Sequence, residues 1–304
     1  MMRERALVRL GGAAIVASTA ALSSQACWSP YSEEAALSHD DASADDGHPS
    51  DADVLTPVDG DTPGDGGADA PEDADAQPAA EAYAAAVLSD GPLAYWRFSE
   101  PMSTVAVDHS GNQHDATYVG GCQPGVPGPF PGSKAVRLDR NEPSRCEIRA
   151  TGIDFDGTTP FTLEIWAKPS AVSSQYWRLF GHGINNVQGY QHFGVYFRDP
   201  MGIVFERTVN DEIIVASVPS PPLGDFVHVA AVYDGTQLVL SVNGGVAAAK
   251  VLDARSQIAK ASPFWIGSNG NENFFDGVLA EAAVYAKALS AQQIATHYAI
   301  AKEK

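Results

Sequence analysis

Between Phe226 and Tyr298 two turn dipeptides follow one another closely. Asp234-Gly235 closes the apolar run 226–233, and Asn243-Gly244 closes the run 238–242. Both dipeptides supply the positive-φ backbone that tight hairpin turns require. Between them Leu238, Leu240 and Val242 alternate with Gln237, Val239 and Ser241, so one strand face is apolar throughout. Short strands joined this way build antiparallel sheets that pack as a sandwich, not a parallel sheet. Residues 93–98, 161–167, 179–180, 193–197, 202–205, 213–218, 264–266 and 278–285 also read as strands. An Ala-rich stretch, 79–88, predicts a short helix stopped by Ser89-Asp90-Gly91-Pro92. A closing helix starts at Ser290, with Gln293 at capping-box spacing and Ile294 and Tyr298 on one face.

Charge divides the chain. Residues 30–81 carry 16 Asp or Glu and no Lys or Arg, whereas residues 82–304 hold only about −5 of the total −19. A stretch of Asp, Ala, Gly and Pro cannot bury enough apolar surface to offset chain entropy, so it reads as a disordered, self-repelling linker. Its charge disfavours nucleic acid as a partner. Asp59-Gly60-Asp61 does not extend into an EF-hand, because Pro63 and Gly64 follow.

The first residues read as an address. Arg3, Arg5 and Arg9 precede the uncharged run 10–22, and Ser23-Ser24-Gln25-Ala26-Cys27 follows. Thirteen residues reach about 20 Å as a helix, too short to cross a bilayer, which fits an export signal. Cleavage after Ala26 would expose Cys27, and the segment resembles a bacterial lipoprotein signal. It departs from that pattern at Ser24, where Leu is preferred, so ordinary cleavage and secretion stay open. With Cys27 lipidated, Cys122 and Cys146 remain as an even pair for a disulfide. The expected organisation is signal 1–26, acidic linker 27–81 and one folded domain 82–304, carried by an outer-membrane lipoprotein. The alternative is a secreted protein.

An ordered series of motifs carries a family resemblance. Tyr95-Trp96-Arg97-Phe98, Asp108-His109-Ser110-Gly111-Asn112 and the strand Phe161-Thr162-Leu163-Glu164-Ile165-Trp166-Ala167-Lys168-Pro169 come first. His228-Val229-Ala230-Ala231-Val232-Tyr233-Asp234-Gly235, Val242-Asn243-Gly244, Phe275-Asp276-Gly277-Val278-Leu279 and Ala288-Leu289-Ser290 follow. Together they resemble the laminin-G-like jelly-roll domains of bacterial exported proteins. The resemblance implies an all-β, concanavalin A-like sandwich of two antiparallel sheets, in accord with the strand pattern.

Nucleophilic and zinc chemistry find no motif: there is no Gly-x-Ser-x-Gly elbow and no His-Glu-x-x-His. Some folds of this type are glucanases, which need two carboxylates across a cleft. Glu164 and Glu281 are the nearest candidates, and neither has a partner carboxylate in its strand, so no catalytic residue is assigned. A structural Ca²⁺ is one reading of the Asp108–Asn112 turn, with Glu281 as a further ligand. The other is that Asp108 and Asn112 simply turn the chain by bonding its own backbone. Glycan recognition would use aromatic faces and amides on loops. The candidates are Tyr176 and Trp177, then Asn185, Asn186 and Tyr190, then Asn271, Asn273 and Phe274. Trp96, Trp166 and Trp265 read as core. The expected function is a non-catalytic, envelope-anchored binding or adhesion protein for a glycan or a cell-surface protein. A glycan-active enzyme and a purely structural envelope module are the alternatives.

Overall fold

The computed structural model describes residues 77–141, 146–155, 158–171, 174–182, 193–209, 212–252, 263–270 and 272–303. The export signal, Cys27 and nearly all of the acidic segment lie outside the described residues, as do Asn185, Asn186, Tyr190 and Asn271. The elements run α1 (Gln77–Ser89), β1 (Ala94–Trp96), β2 (Val105–Ala106), β3 (Ala116–Gly120), β4 (Gln123–Pro127), β5 (Lys134–Leu138) and β6 (Cys146–Ala150). Then come β7 (Phe161–Pro169), β8 (Trp177–His182), β9 (Phe193–Arg198), β10 (Gly202–Val209), β11 (Glu212–Val218) and β12 (Val227–Tyr233). β13 (Gln237–Val242), β14 (Gly245–Val251), β15 (Phe264–Ile266), β16 (Gly277–Tyr285) and α2 (Ala291–Lys302) complete the order.

The strands form two eight-stranded antiparallel sheets. The first runs β14-β13-β12-β7-β16-β5-β4, with β1 also paired to β16; the second runs β11-β10-β9-β8-β15-β6-β3-β2. The hairpin dipeptides sit where the sequence puts them. Asn243 (φ 50°) and Gly244 (φ 78°) turn β13 into β14, and Gly235 (φ 98°) lies in the turn from β12 to β13.

Side-chain alternation shows why the first sheet is apolar on both faces. On β7, Phe161, Leu163, Ile165 and Ala167 enter the core between the sheets. Trp166 faces the other way, into a second apolar layer with Ala80, Tyr83, Ala84 and Val87 of α1 and Ile294 and Ala301 of α2. On β12, Val227, Val229, Ala231 and Tyr233 face inward, whereas Ala230 and Val232 meet the helix layer. The two helices therefore cover the outer face of the first sheet, which a plain sandwich would leave to water. On β16 the pairing with β7 slips between Ala280 and Ala283, and Glu281 occupies the extra position with φ 49°. This bulge moves the strand's parity by one, so Leu279, Ala282 and Val284 all point inward.

Three differences from the sequence reading have physical causes. The helix starts at Gln77, so the expected linker end at residue 81 falls inside it; Ala80 and Tyr83 are already buried there. β2 to β6 were not expected, because they are short and carry Pro124, Pro127 or alternating charge. β14 is Ala-rich and exposed, an edge strand held by its ladder to β13 and not by propensity. The capping box at Ser290 and Gln293 is present as expected. Cys122 and Cys146 are joined in a disulfide, across a sequence separation of 24. The bridge pins the passage from β3 in one sheet to β4 in the other, and a loop of that size is worth about 3 kcal/mol.

Candidate ligand-binding site

Three connections cross between the sheets side by side. In the first sheet β16 lies between β7 and β5, and in the second β15 lies between β8 and β6. The chain passes from β5 to β6, from β7 to β8 and from β15 to β16, so adjacent strands in both layers are joined by adjacent loops. Those loops enclose an open pocket of about 520 Å³ lined by Arg140, Asn141, Ser174, Gln175, Tyr176, Glu272, Asn273 and Phe274.

The walls are held from below. Arg178 N–H donates to the Asn273 carbonyl (3.1 Å), tying the start of β8 to the β15–β16 loop, and Phe275 N–H closes back on Gly267 (2.8 Å). Phe275 is a fully buried plug against Trp177 and Phe197, so neighbouring Asn273 and Phe274 stay at the pocket. Asn273 has φ 60°, a left-handed conformation that Asn tolerates better than most residues. Arg198 donates to the Tyr176 hydroxyl (2.7 Å) and lies 4.2 Å from that ring's centroid, which fixes the aromatic wall. Beneath it the buried Arg178–Glu206 pair (2.7 Å) and the Tyr196 hydroxyl on Glu206 (2.8 Å) form the footing. Gly194 makes room for this pair, because a Cβ there would collide with the Arg178 guanidinium. Arg140 donates to Gln175 Oε1 (2.9 Å) and lies over the Trp177 ring at 5.6 Å.

The pocket thus unites Tyr176, Asn273 and Phe274 from the expected candidates. Trp177 requires correction: it is the first residue of β8, packed into the core and 3% exposed, not a loop residue. The strand starts two residues before the expected 179–180, and alternation turns the indole inward. Trp96 and Trp166 are fully buried and Trp265 nearly so, as expected of core. Arg140, Asn141, Ser174, Gln175 and Glu272 were not singled out. Arg140 and Asn141 follow β5, a strand the pattern did not reveal, whereas Glu272 lies inside the amide-rich run 269–275.

The residues considered for calcium do not come together. Asp108 Oδ1 accepts from the Tyr95 and Ser110 amides (2.9 and 2.8 Å), and Oδ2 from the Ser110 hydroxyl and His114 amide (2.8 and 2.9 Å). A carboxylate has about four lone-pair positions, and all are in use. Asn112 Nδ2 donates to the Pro92 and Leu93 carbonyls. Glu281 is engaged at the other end of Tyr95, whose hydroxyl donates to it, with Arg97 Nε at 3.8 Å. Among the described residues no three His, Cys, Asp or Glu are placed to hold a metal ion.

Glu164 and Glu281, the two acids weighed for hydrolysis, are buried toward the helix layer and do not line the pocket. Glu164 is fully buried. It accepts from His228 Nε2 (2.7 Å), His297 Nδ1 (3.0 Å) and the Tyr285 hydroxyl (3.1 Å). Burial alone would raise its carboxyl, but the bonds from His228 and His297 outweigh that and hold it well below the usual range. For His297, burial works downward, yet Glu164 and Asp90 leave it raised; its Nε2 lies 3.1 Å from Asp90, in ion-pair contact. Glu281 goes the other way: burial pushes it up to about 7, against the partial relief of Arg97 and Tyr95.

The family model described as the concanavalin A-like lectin/glucanases superfamily matches residues 144–295, half of the chain. The chain belongs to that superfamily. The match contains two of the three loops at the pocket, and it confirms the laminin-G-like resemblance read from the motifs. No curated protein matches the superfamily member described here in sequence. Among solved structures, the binding domain of Paraclostridial mosquitocidal protein 1 is similar at 20% identity and TM-score 0.55, covering 69% of this chain and 52% of that one. The chain therefore spans about half the length of that neighbour. Domain 4 of a GH43 extracellular arabinanase from Geobacillus stearothermophilus, in complex with arabinotriose, is similar at 18% identity and TM-score 0.51, covering 68% and 98%. The binding domain of botulinum neurotoxin DC, in complex with SialylT, gives 11% identity and TM-score 0.55, with 70% and 52% covered. These likenesses show a common fold.

Proposed function

We propose that the protein is a non-catalytic binding module that recognises a glycan at the pocket between the β5–β6, β7–β8 and β15–β16 loops. The single observation behind this reading is the convergence of Tyr176, Phe274, Asn273, Asn141 and Gln175, from three separate loops, on one open concavity. Aromatic walls suit the apolar faces of sugar rings, and amides read their hydroxyls, while a rigid sandwich holds both in place. The burial of Glu164 and Glu281 under the helices favours binding over hydrolysis, because among the described residues Glu272 is the one carboxylate that lines the pocket. The likeness to a toxin binding domain and to an arabinanase domain in complex with arabinotriose is consistent with it.

In this proposal the domain works at the cell envelope. A lipid on Cys27 anchors the chain, and the acidic stretch acts as a tether whose root-mean-square span, for about 50 flexible residues, is near 40 Å. Intact mass of the membrane-fraction protein tests the anchor: a mature chain beginning at unmodified Cys27 would remove it. A glycan array probed with the full chain, presented multivalently, tests the binding. Signals lost in Phe274→Ala and Asn273→Ala, with melting temperature kept, support the pocket; silence on the array turns the reading toward a protein ligand.

A further inference from the structure

We infer that the pocket selects glycans bearing a carboxylate, which Arg140 receives; this rests on the glycan-binding reading above. Other arginines of the domain are spent on carboxylates. Buried Arg178 is neutralised by Glu206 at 2.7 Å, Arg97 meets Glu81 at 3.0 Å, and Arg149 meets Glu147 at 3.0 Å. Arg140 and Arg198 pair with no carboxylate among the described residues. Arg198 is occupied by the Tyr176 hydroxyl and the Ser174 carbonyl, so it serves the wall.

Arg140 is different. Its guanidinium is fixed from two sides, by Gln175 Oε1 at 2.9 Å and by the Trp177 ring at 5.6 Å, and it lines the pocket. Among the described residues one of its five N–H donors is used, and the planar fork is already oriented for a ligand. Such a fork matches a carboxylate with two parallel hydrogen bonds, and a neutral hydroxyl uses it poorly. This cation stands in a domain whose net charge is about −5. Diffuse attraction to polyanions is therefore not what the surface offers. Glu272, on the same pocket, sharpens the selection. It accepts hydrogen bonds from sugar hydroxyls and repels a second acidic group, so an isolated carboxylate on a sugar fits and a densely sulfated chain does not.

The probes are matched pairs: trigalacturonate against its methyl ester, and 3′-sialyllactose against lactose, with a heparin tetrasaccharide as the dense polyanion. Titration of the full chain should show one acid bound about tenfold more tightly than its neutral partner, the size of one charge-assisted pair. Which acid does so distinguishes a uronate from a sialate source. Arg140→Gln should abolish that ratio with the melting temperature kept, and Arg140→Lys should restore only part of it. Equal affinity for acid and neutral partner, or a ratio kept in Arg140→Gln, overturns the inference while leaving glycan binding standing. Heparin bound as tightly as the acid also overturns it. Loss of all binding on Phe274→Ala together with a ratio that follows Arg140 supports both statements at once.

Discussion

Glu164→Gln is the substitution whose outcome the structure fixes most tightly. The carboxylate lies under both helices, with His228, His297 and Tyr285 donating to it, and His297 continues to Asp90 just past α1. Gln can accept on one side only, so at least one histidine donor meets an amide donor, and the His297 cation loses its closest counter-charge. Removing one member of a buried charged cluster costs about 3–5 kcal/mol. In a domain of this size that is a fall of about 10 °C in melting temperature. The pH profile should change too. Glu164 is depressed when folded, so its contribution is present above the ordinary carboxylate pKa and fades as pH falls below it. His297 is raised, so its contribution is complete below the ordinary histidine pKa and fades as pH rises through its higher folded value. The contribution of the Glu164–His297 cluster should therefore be largest from about pH 5 to 6.5, and Glu164→Gln should flatten both limbs of that contribution. Calorimetry from pH 4 to 9, with hydrogen exchange of α1 and α2, reads both effects. A variant that melts within 2 °C of wild type at pH 6, or keeps both limbs, would refute the reasoning.

Three further outcomes follow from other contacts. Glu281 folds with its carboxyl raised to about 7, so ionising it opposes folding as pH rises; Glu281→Gln should gain on the order of 3 kcal/mol at pH 8 and little at pH 5, read by melts at both. Gly194→Ala should drive the Arg178 guanidinium off Glu206 and cost about 3–5 kcal/mol in denaturant titration, whereas a loss under 1 kcal/mol would show that the pair can shift freely. EDTA and added Ca²⁺ should leave the melting temperature unchanged, because Asp108 spends all four acceptor positions on its own turn; a rise with Ca²⁺ would restore the turn as a metal site.

Much of the architecture was legible because it depends on local chemistry. Asp234-Gly235 and Asn243-Gly244 are turns for steric reasons that hold in any context, and Ser290 with Gln293 caps a helix by itself. The paired cysteines followed from counting thiols. What stayed hidden depends on partners far away in sequence. The edge strands β4 and β14 are strands only because β5 and β13 offer ladders. Glu164 looked like an isolated acid; its histidines come from residues 64 and 133 positions away. The pocket was half legible. Tyr176, Asn273 and Phe274 stood out by residue type, but Arg140 gains meaning only from Gln175 and Trp177 beside it. Trp177 misled because one residue decides whether an aromatic ends a loop or begins a strand.

The most direct test of the binding account is a crystal structure of the chain with the glycan that scores highest on the array. The account predicts a sugar ring against Phe274 and Tyr176, with hydroxyls on Asn273 and Asn141, in the pocket between the three crossing loops. A glycan seated elsewhere on the sandwich, with that pocket empty at saturating ligand, would contradict it.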